Sequence, residues 1–243
     1  MKNHTENKGS KCVIGFDIWG TLLDLDRVLE AIGKSLALDL GINYEQAIRK
    51  IFEIHNEARR IRRLNPDIKP SQLIEAASQA ATNVFNTSIS AINNAISHTF
   101  ENIGDEVLFS DTLPSLMNLQ SNNIELGVVG NVLFWSSVYT RILIDRLGLS
   151  KYFKAMIFSD ELEVSKPDRK IFLEFCKLMG VEPGNLIYVG DNVIEDIGGA
   201  LSTGGIGVLI RRNSGELIIL KDMRVASISN LLDLVKIYNV LCN

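Results

Sequence analysis

The stretch Val13–Asp26, VIGFDIWGTLLDLD, decides the fold, because it brings an apolar run to an abrupt stop on a carboxylate. Val13 to Phe16 reads as a buried strand, and Asp17 stands at its carboxyl end. A Gly-Thr turn follows at Gly20 and Thr21. Between carboxylate and turn lies Trp19, where a second carboxylate would complete a nucleophile-plus-acid pair. So short a strand cannot stay buried alone, so the rest of its sheet must come from elsewhere in the chain.

Working outward, the texture changes at once. From about Asp26 to Glu101 apolar residues recur at helical spacing (Val28, Ile32, Leu36, then Ala47, Ile51, Ile54, Ala58, Ile61), with turn signals at Gly41 and at Asn65-Pro66. Ser71–Asn86 and Ser90–Glu101 read as two further helices. Beyond Gly104 strand and helix alternate, with strands at Ile124–Val129, Ala155–Phe158, Leu186–Val189 and Ile206–Ile210. Alternation of this kind predicts an α/β fold, a Rossmann-like doubly wound parallel sheet. The chain therefore divides into a loose polar tail (1–11), a discontinuous core (12–23 and 105–243) and an inserted α-helical bundle (24–104).

Bulk properties narrow the class. The 243 residues are 46% hydrophobic and 22% charged, as in ordinary globular proteins. A net charge of −4 argues against a general nucleic-acid binder, and no apolar run is long enough to span a bilayer. Cys12, Cys176 and Cys242 lie far apart without metal-ligand or redox spacing. With a polar N-terminus that lacks a signal-peptide core, they point to a reducing cytoplasm. Nothing in the residues speaks to oligomeric state.

In doubly wound sheets ligands bind beyond the carboxyl ends of the strands. Four such ends carry polar groups here: Asp17, Gly130-Asn131, Asp160 and Asp191, with Lys166 just beyond the third. Carboxylates, a lysine and strand-end amides converging on one spot suit phosphoryl transfer to an aspartate. Magnesium suits a site of one or two carboxylates, a carbonyl and waters.

The wording and order of these segments are similar to the haloacid dehalogenase (HAD) superfamily: FDIWGTLLD to its first motif, VVGN to its second, SKPDRKIF to its third and YVGDNVIEDIGGA to its fourth. The helical insertion matches the family's helical (type C1) cap. The resemblance implies that Asp17 is the nucleophile and a magnesium ligand, with the Trp19 carbonyl and Asp191 as further ligands. It implies that Asp196 organises metal waters or Lys166, that Lys166 steadies Asp17 and the phosphoryl group, and that Asn131, Gly130 and the neighbouring turn (Thr21, Trp19) hold substrate. The partner expected is a small phosphorylated molecule.

Two departures stand out. Family phosphatases carry an acid/base aspartate where Trp19 stands, and indole N–H only donates. Losing a general acid costs about a hundred- to ten-thousand-fold. Gly130 also replaces the usual Ser or Thr. Three readings follow: a magnesium-dependent phosphatase without its usual acid, a 2-haloacid dehalogenase in which Arg49 would take the halide, and a weakly active or non-catalytic phosphate- and magnesium-binding protein. The phosphatase accounts best for the intact GDNVIED segment. Of the remaining charged residues, Glu195 reads as solvated and His55 as structural. The arginines of ARRIRRLNPD read as a solvated helix end, or as a clamp for an anionic substrate. Asp24 and Asp26 read as linker polarity.

Overall fold

The structure, a computed structural model, describes residues 11–212 and 215–242. The expected tail lies, but for Lys11, outside the described residues. One seven-stranded sheet has the order β3-β2-β1-β4-β5-β7-β6. Its strands are β1 (Val13–Phe16), β2 (Glu125–Gly130), β3 (Phe153–Phe158), β4 (Leu186–Gly190), β5 (Ile206–Ile210), β6 (Ile218–Leu220) and β7 (Val225–Ile228). All neighbours pair in parallel except β6 with β7, so the α/β doubly wound expectation holds. The central β1 is buried on every residue, and its Phe16 pairs with Val128 on one side and Val189 on the other. That register aligns three strand ends, bringing Asp17, Asn131 and Asp191 to one edge.

Between β1 and the sheet's return the chain inserts α1 (Leu25–Leu40), α2 (Tyr44–Leu64), α3 (Pro70–Phe85) and α4 (Ile89–Asn102). Local signals set their bounds. Asp24, Asn43 and Ser88 accept N-terminal backbone N–H groups of α1, α2 and α4, and Pro70 opens α3. Gly41 closes α1 in the left-handed conformation, its N–H on the Ala37 carbonyl. The buried stripe of α1 (Val28, Leu29, Ile32, Leu36) and that of α2 (Ala47, Ile51, Ile54, Ala58) belong to one continuous core. Asp24 is thus a helix cap, as linker polarity allows.

The helices of the α/β part are α5 (Thr112–Ser121), α6 (Ser137–Arg146), α7 (Ser159–Leu162), α8 (Arg169–Met179), α9 (Gly199–Ser202) and α10 (Leu234–Leu241). The segment after Asn192 starts as a π-helical turn, Val193–Gly198, and only then becomes α9. Short β6 and β7, and α10, add to the elements expected from the sequence. Arg212, after β5, ties this end to the first motif: it pairs with Asp111 at 2.8 Å, donates to the Thr21 carbonyl and stacks on Phe109.

Cys12 and Cys242 form a disulfide across 230 residues, fastening α10 to the start of β1. The cysteine argument for a reducing compartment loses its premise at this pair, because chain spacing does not show which termini meet. Cys176 is the free, buried thiol. Among the described residues no helix is long and apolar enough to cross a membrane.

Candidate active site

Lys166 organises the sheet edge. Its side chain is 2% exposed, and its ammonium donates to Asp17 Oδ1 at 2.6 Å, Asp196 Oδ1 at 2.8 Å and the Tyr188 hydroxyl at 2.9 Å. Three N–H groups thus meet three acceptors. Burial opposes the charge, yet Asp17 and Asp196 outweigh it and hold the lysine well above its ordinary pKa. Tyr188 donates onward to the Val129 carbonyl at 2.6 Å, and burial pushes its phenol well up. Tyr188 was not anticipated: it reads in the sequence as one apolar strand residue among others.

Asp17, Asp191 and Asp196 each offer a carboxylate oxygen within 4.8 Å of the others. Asp17 Oδ2 also accepts from the Thr21 hydroxyl at 3.2 Å. Asp191 presents an exposed residue surface, but its carboxylate turns inward over Gly20, where a Cβ would come within 2.5 Å of Oδ2. Gly20 has φ +83°, so the turn needs glycine for conformation and space alike. Crowding of the carboxylate by protein, then the charge of Asp17, raise Asp191 to about 6. Burial raises Asp196 to about 7 against the pull of Lys166. Asn192, not Asp191, caps the π-helical turn, accepting from the Ile194 and Glu195 N–H groups. The Trp19 carbonyl accepts no hydrogen bond among the described residues. An all-oxygen donor set with an unpartnered carbonyl fits a hard divalent cation.

The two departures have structural causes. The Trp19 indole is not a stand-in acid but part of an aromatic junction. It meets Trp135, from the loop after β2, edge-on at 5.5 Å and Phe100 of α4 at 6.5 Å. Trp19 thereby joins the helical insert to the sheet. At Gly130 the room for a Ser or Thr side chain is taken by the Phe158 ring, 2.7 Å from where a Cβ would stand. Asn131 faces the site differently from expectation. Its Oδ1 accepts the Lys166 N–H at 2.8 Å, and its Nδ2 donates to the Lys166 carbonyl at 3.1 Å and to Glu195 at 3.2 Å. The remaining strand-end acid, Asp160, lies apart and accepts from Ser136 and Ser137 at the start of α6.

The helical insert covers this edge with α2. His55, Arg59 and Arg62 line one small cavity of about 70 Å³ together with Asp17, Trp19, Lys166 and Asp191. Burial, then Arg59 and Arg62, drive His55 down to about 3, so it stands neutral. Glu195, read from the sequence as solvated, is largely buried: Arg62 Nη2 reaches both its oxygens at 2.5 Å. The cause is tertiary, since the partner lies 133 residues away. Of the arginine cluster, Arg59 and Arg62 face the cavity, whereas Arg60 pairs with Glu57 in solvent. Arg49 is exposed and does not line the cavity, which removes the candidate halide ligand.

A glyceraldehyde 3-phosphate phosphatase of Methanopyrus kandleri is 38% identical over 107 residues, 43% of each chain. The chain spans about half the length of the curated relatives it matches. The fold is similar to that of a HAD phosphatase from Thermococcus onnurineus, with TM-score 0.62, 26% identity and coverage of 94% of this chain and 98% of that one. It is also similar to that of a 2-haloacid dehalogenase from Pseudomonas syringae, with TM-score 0.63, 20% identity and the same coverages. Residues 13–204 match the haloacid dehalogenase-like hydrolase description. Strand order, motif order and that match converge, and the chain belongs to the haloacid dehalogenase-like hydrolases.

Proposed function

We propose that this protein is a magnesium-dependent phosphatase acting on a small phosphorylated molecule through Asp17, with the helical insert as a cap. The observation that carries the reading is the Lys166 ammonium held between Asp17 and Asp196, with Asp191 on the same edge. Asp17, Asp191 and the Trp19 carbonyl would hold the ion, and Asp196 would serve it by fixing Lys166. Bound there, magnesium supplies positive charge that offsets the phosphoryl oxygens against the carboxylates. The phosphatase names of the M. kandleri and T. onnurineus proteins support the same class.

The residues of this chain divide the work. Asp17 Oδ2 attacks phosphorus while Lys166 keeps the other oxygen fixed, so the nucleophile is aimed without being buried in ion pairs on both sides. The bond between phosphorus and the leaving oxygen breaks as the Asp17–phosphorus bond forms. Lys166 and Arg59 line the same cavity, where their charge would face the phosphoryl oxygens. Water then cleaves the acyl phosphate, returning Asp17 and inorganic phosphate. Neither Trp19, which does not titrate, nor His55, which stands neutral, protonates the leaving oxygen, and the carboxyl groups of the cavity are committed to the attack, the ion, Lys166 and Arg62. Leaving groups that depart as anions, such as aryl oxides, are therefore favoured over alkyl ones.

Phosphate release from an aryl phosphate and chloride release from 2-chloropropionate, each with magnesium and with EDTA, test the reading against an Asp17→Asn control. Magnesium-dependent phosphate release that the control lacks is expected. Metal-independent chloride release would establish the dehalogenase instead.

A further inference from the structure

Two cavities meet at one ion pair. The inner one, about 70 Å³, holds Asp17 and Asp191. The outer one, about 510 Å³, opens between the end of α2, the loop that carries Lys166 and the π-helical turn that carries Glu195. Arg62, Lys166, Asn192 and Glu195 line both. Lys166 is fully committed to its three acceptors and cannot yield. The Arg62–Glu195 pair can: it is held by Nη2 alone, while the buried Nη1 has no partner. Should Arg62 turn away, Glu195 keeps the Asn131 amide. The pair is thus a movable partition rather than a fixed wall.

Size decides what lies on each side. A cavity of about 150 Å³ is what benzene needs, so the inner one accepts a phosphoryl-sized group and no ring attached to it. The outer cleft has the volume of a ligand pocket. Its walls are mainly apolar, from Pro66, Pro167, Ile194 and the stems of Arg62 and Arg63. Ile194 is 70% exposed, a large apolar side chain turned outward beside the catalytic edge.

We infer that the outer cleft seats the leaving group of the substrate, a phosphate monoester whose alcohol portion is apolar and at least ring-sized, and that Arg62 swings from Glu195 to admit it. This rests on the phosphatase reading. The phosphoryl group enters the inner cavity, the ester oxygen lies at the partition, and the apolar portion covers Pro167 and Ile194. Arg62 is then the specificity-determining residue, trading a carboxylate of the protein for the ester.

The test compares 2-naphthyl phosphate with acetyl phosphate, whose short acyl group is the control, in the wild type and in two variants that narrow opposite walls of the cleft. Ile194→Trp acts from the π-helical turn that carries Glu195, and Asp67→Trp from the insert; both positions are exposed, so neither substitution intrudes on the core. Each is expected to raise KM for 2-naphthyl phosphate about ten-fold with kcat within about two-fold, and to leave acetyl phosphate within about two-fold in both constants. If the two substrates respond alike, or neither responds in either variant, the cleft is not the leaving-group seat while the phosphatase stands. If the wild type releases phosphate from neither substrate, the phosphatase reading fails and takes this inference with it.

Discussion

Replacing Lys166 by methionine removes the buried cation that bridges Asp17 and Asp196 while keeping side-chain length and apolar contact. In the native site that ammonium sits 2.6 Å from Asp17 and 2.8 Å from Asp196, and the Asp196 side chain is 2% exposed. Breaking a buried ion pair from one side leaves an uncompensated charge and costs about 3–5 kcal/mol. For a chain of this size that lowers Tm by about 6–20 °C, at roughly 2–4 °C per kcal/mol. The loss has a pH signature. The lysine's folded pKa lies above its unfolded value, so its own contribution is fully present throughout the acid and neutral range and vanishes only in strong alkali. Any change between acid and neutral pH must come from the carboxylates, which in the variant lose their charge as pH falls. Urea unfolding in EDTA should therefore show the full deficit at neutral pH and less than about half of it near pH 4.5. A variant within about 1 kcal/mol of the wild type at neutral pH, or a deficit that ignores pH, would refute the electrostatic account.

The wild type has a pH signature of its own. Asp191 at about 6 and Asp196 at about 7 hold protons that the unfolded chain has already released, so their contribution to stability declines as pH rises from about 4 through those values. Metal-free protein should lose stability across that window, and magnesium should flatten the curve, as read by urea unfolding with and without EDTA. Arg62→Ala leaves the Glu195 carboxylate unneutralised beside the phosphoryl site. With the guanidinium that meets the ester also gone, we expect KM for an aryl phosphate to rise about ten-fold and the double variant with Glu195→Gln to recover only part of the loss, a coupling that a double-mutant cycle measures. Thiol titration of the unfolded, unreduced protein should find Cys176 alone, and reduction should cost about 2–4 kcal/mol of stability through the loop closed by Cys12 and Cys242.

Much of this architecture is local and therefore legible in the sequence. A strand that ends on Asp17, a turn that needs Gly20, and helices opened by Asn43, Ser88 and Pro70 each follow from a few neighbouring residues. Asp17, Lys166, Asp191 and Asp196 meet because strand register carries them to one edge, and alternation of strand and helix announces that register. What stayed hidden depends on distant partners. Glu195 looks like a solvated acid until α2 brings Arg62 over it, and Tyr188 looks like core until its hydroxyl meets Lys166. Gly130 reads as a lost hydroxyl, whereas the Phe158 ring has filled the space. Trp19 is the same lesson at the first motif: its side chain answers to Phe100 and Trp135, both distant in the chain.

The central claim is that Asp17 carries the phosphoryl group during turnover. Acid quenching of the protein with an aryl phosphate and magnesium, followed by mass spectrometry of the peptide containing Asp17, measures it directly. The account predicts one acid-stable, hydroxylamine-sensitive phosphoryl group on Asp17, present in the wild type and missing from Asp17→Asn. Steady phosphate release with Asp17 unmodified at every quench time, or equal release by the Asp17→Asn protein, would contradict it.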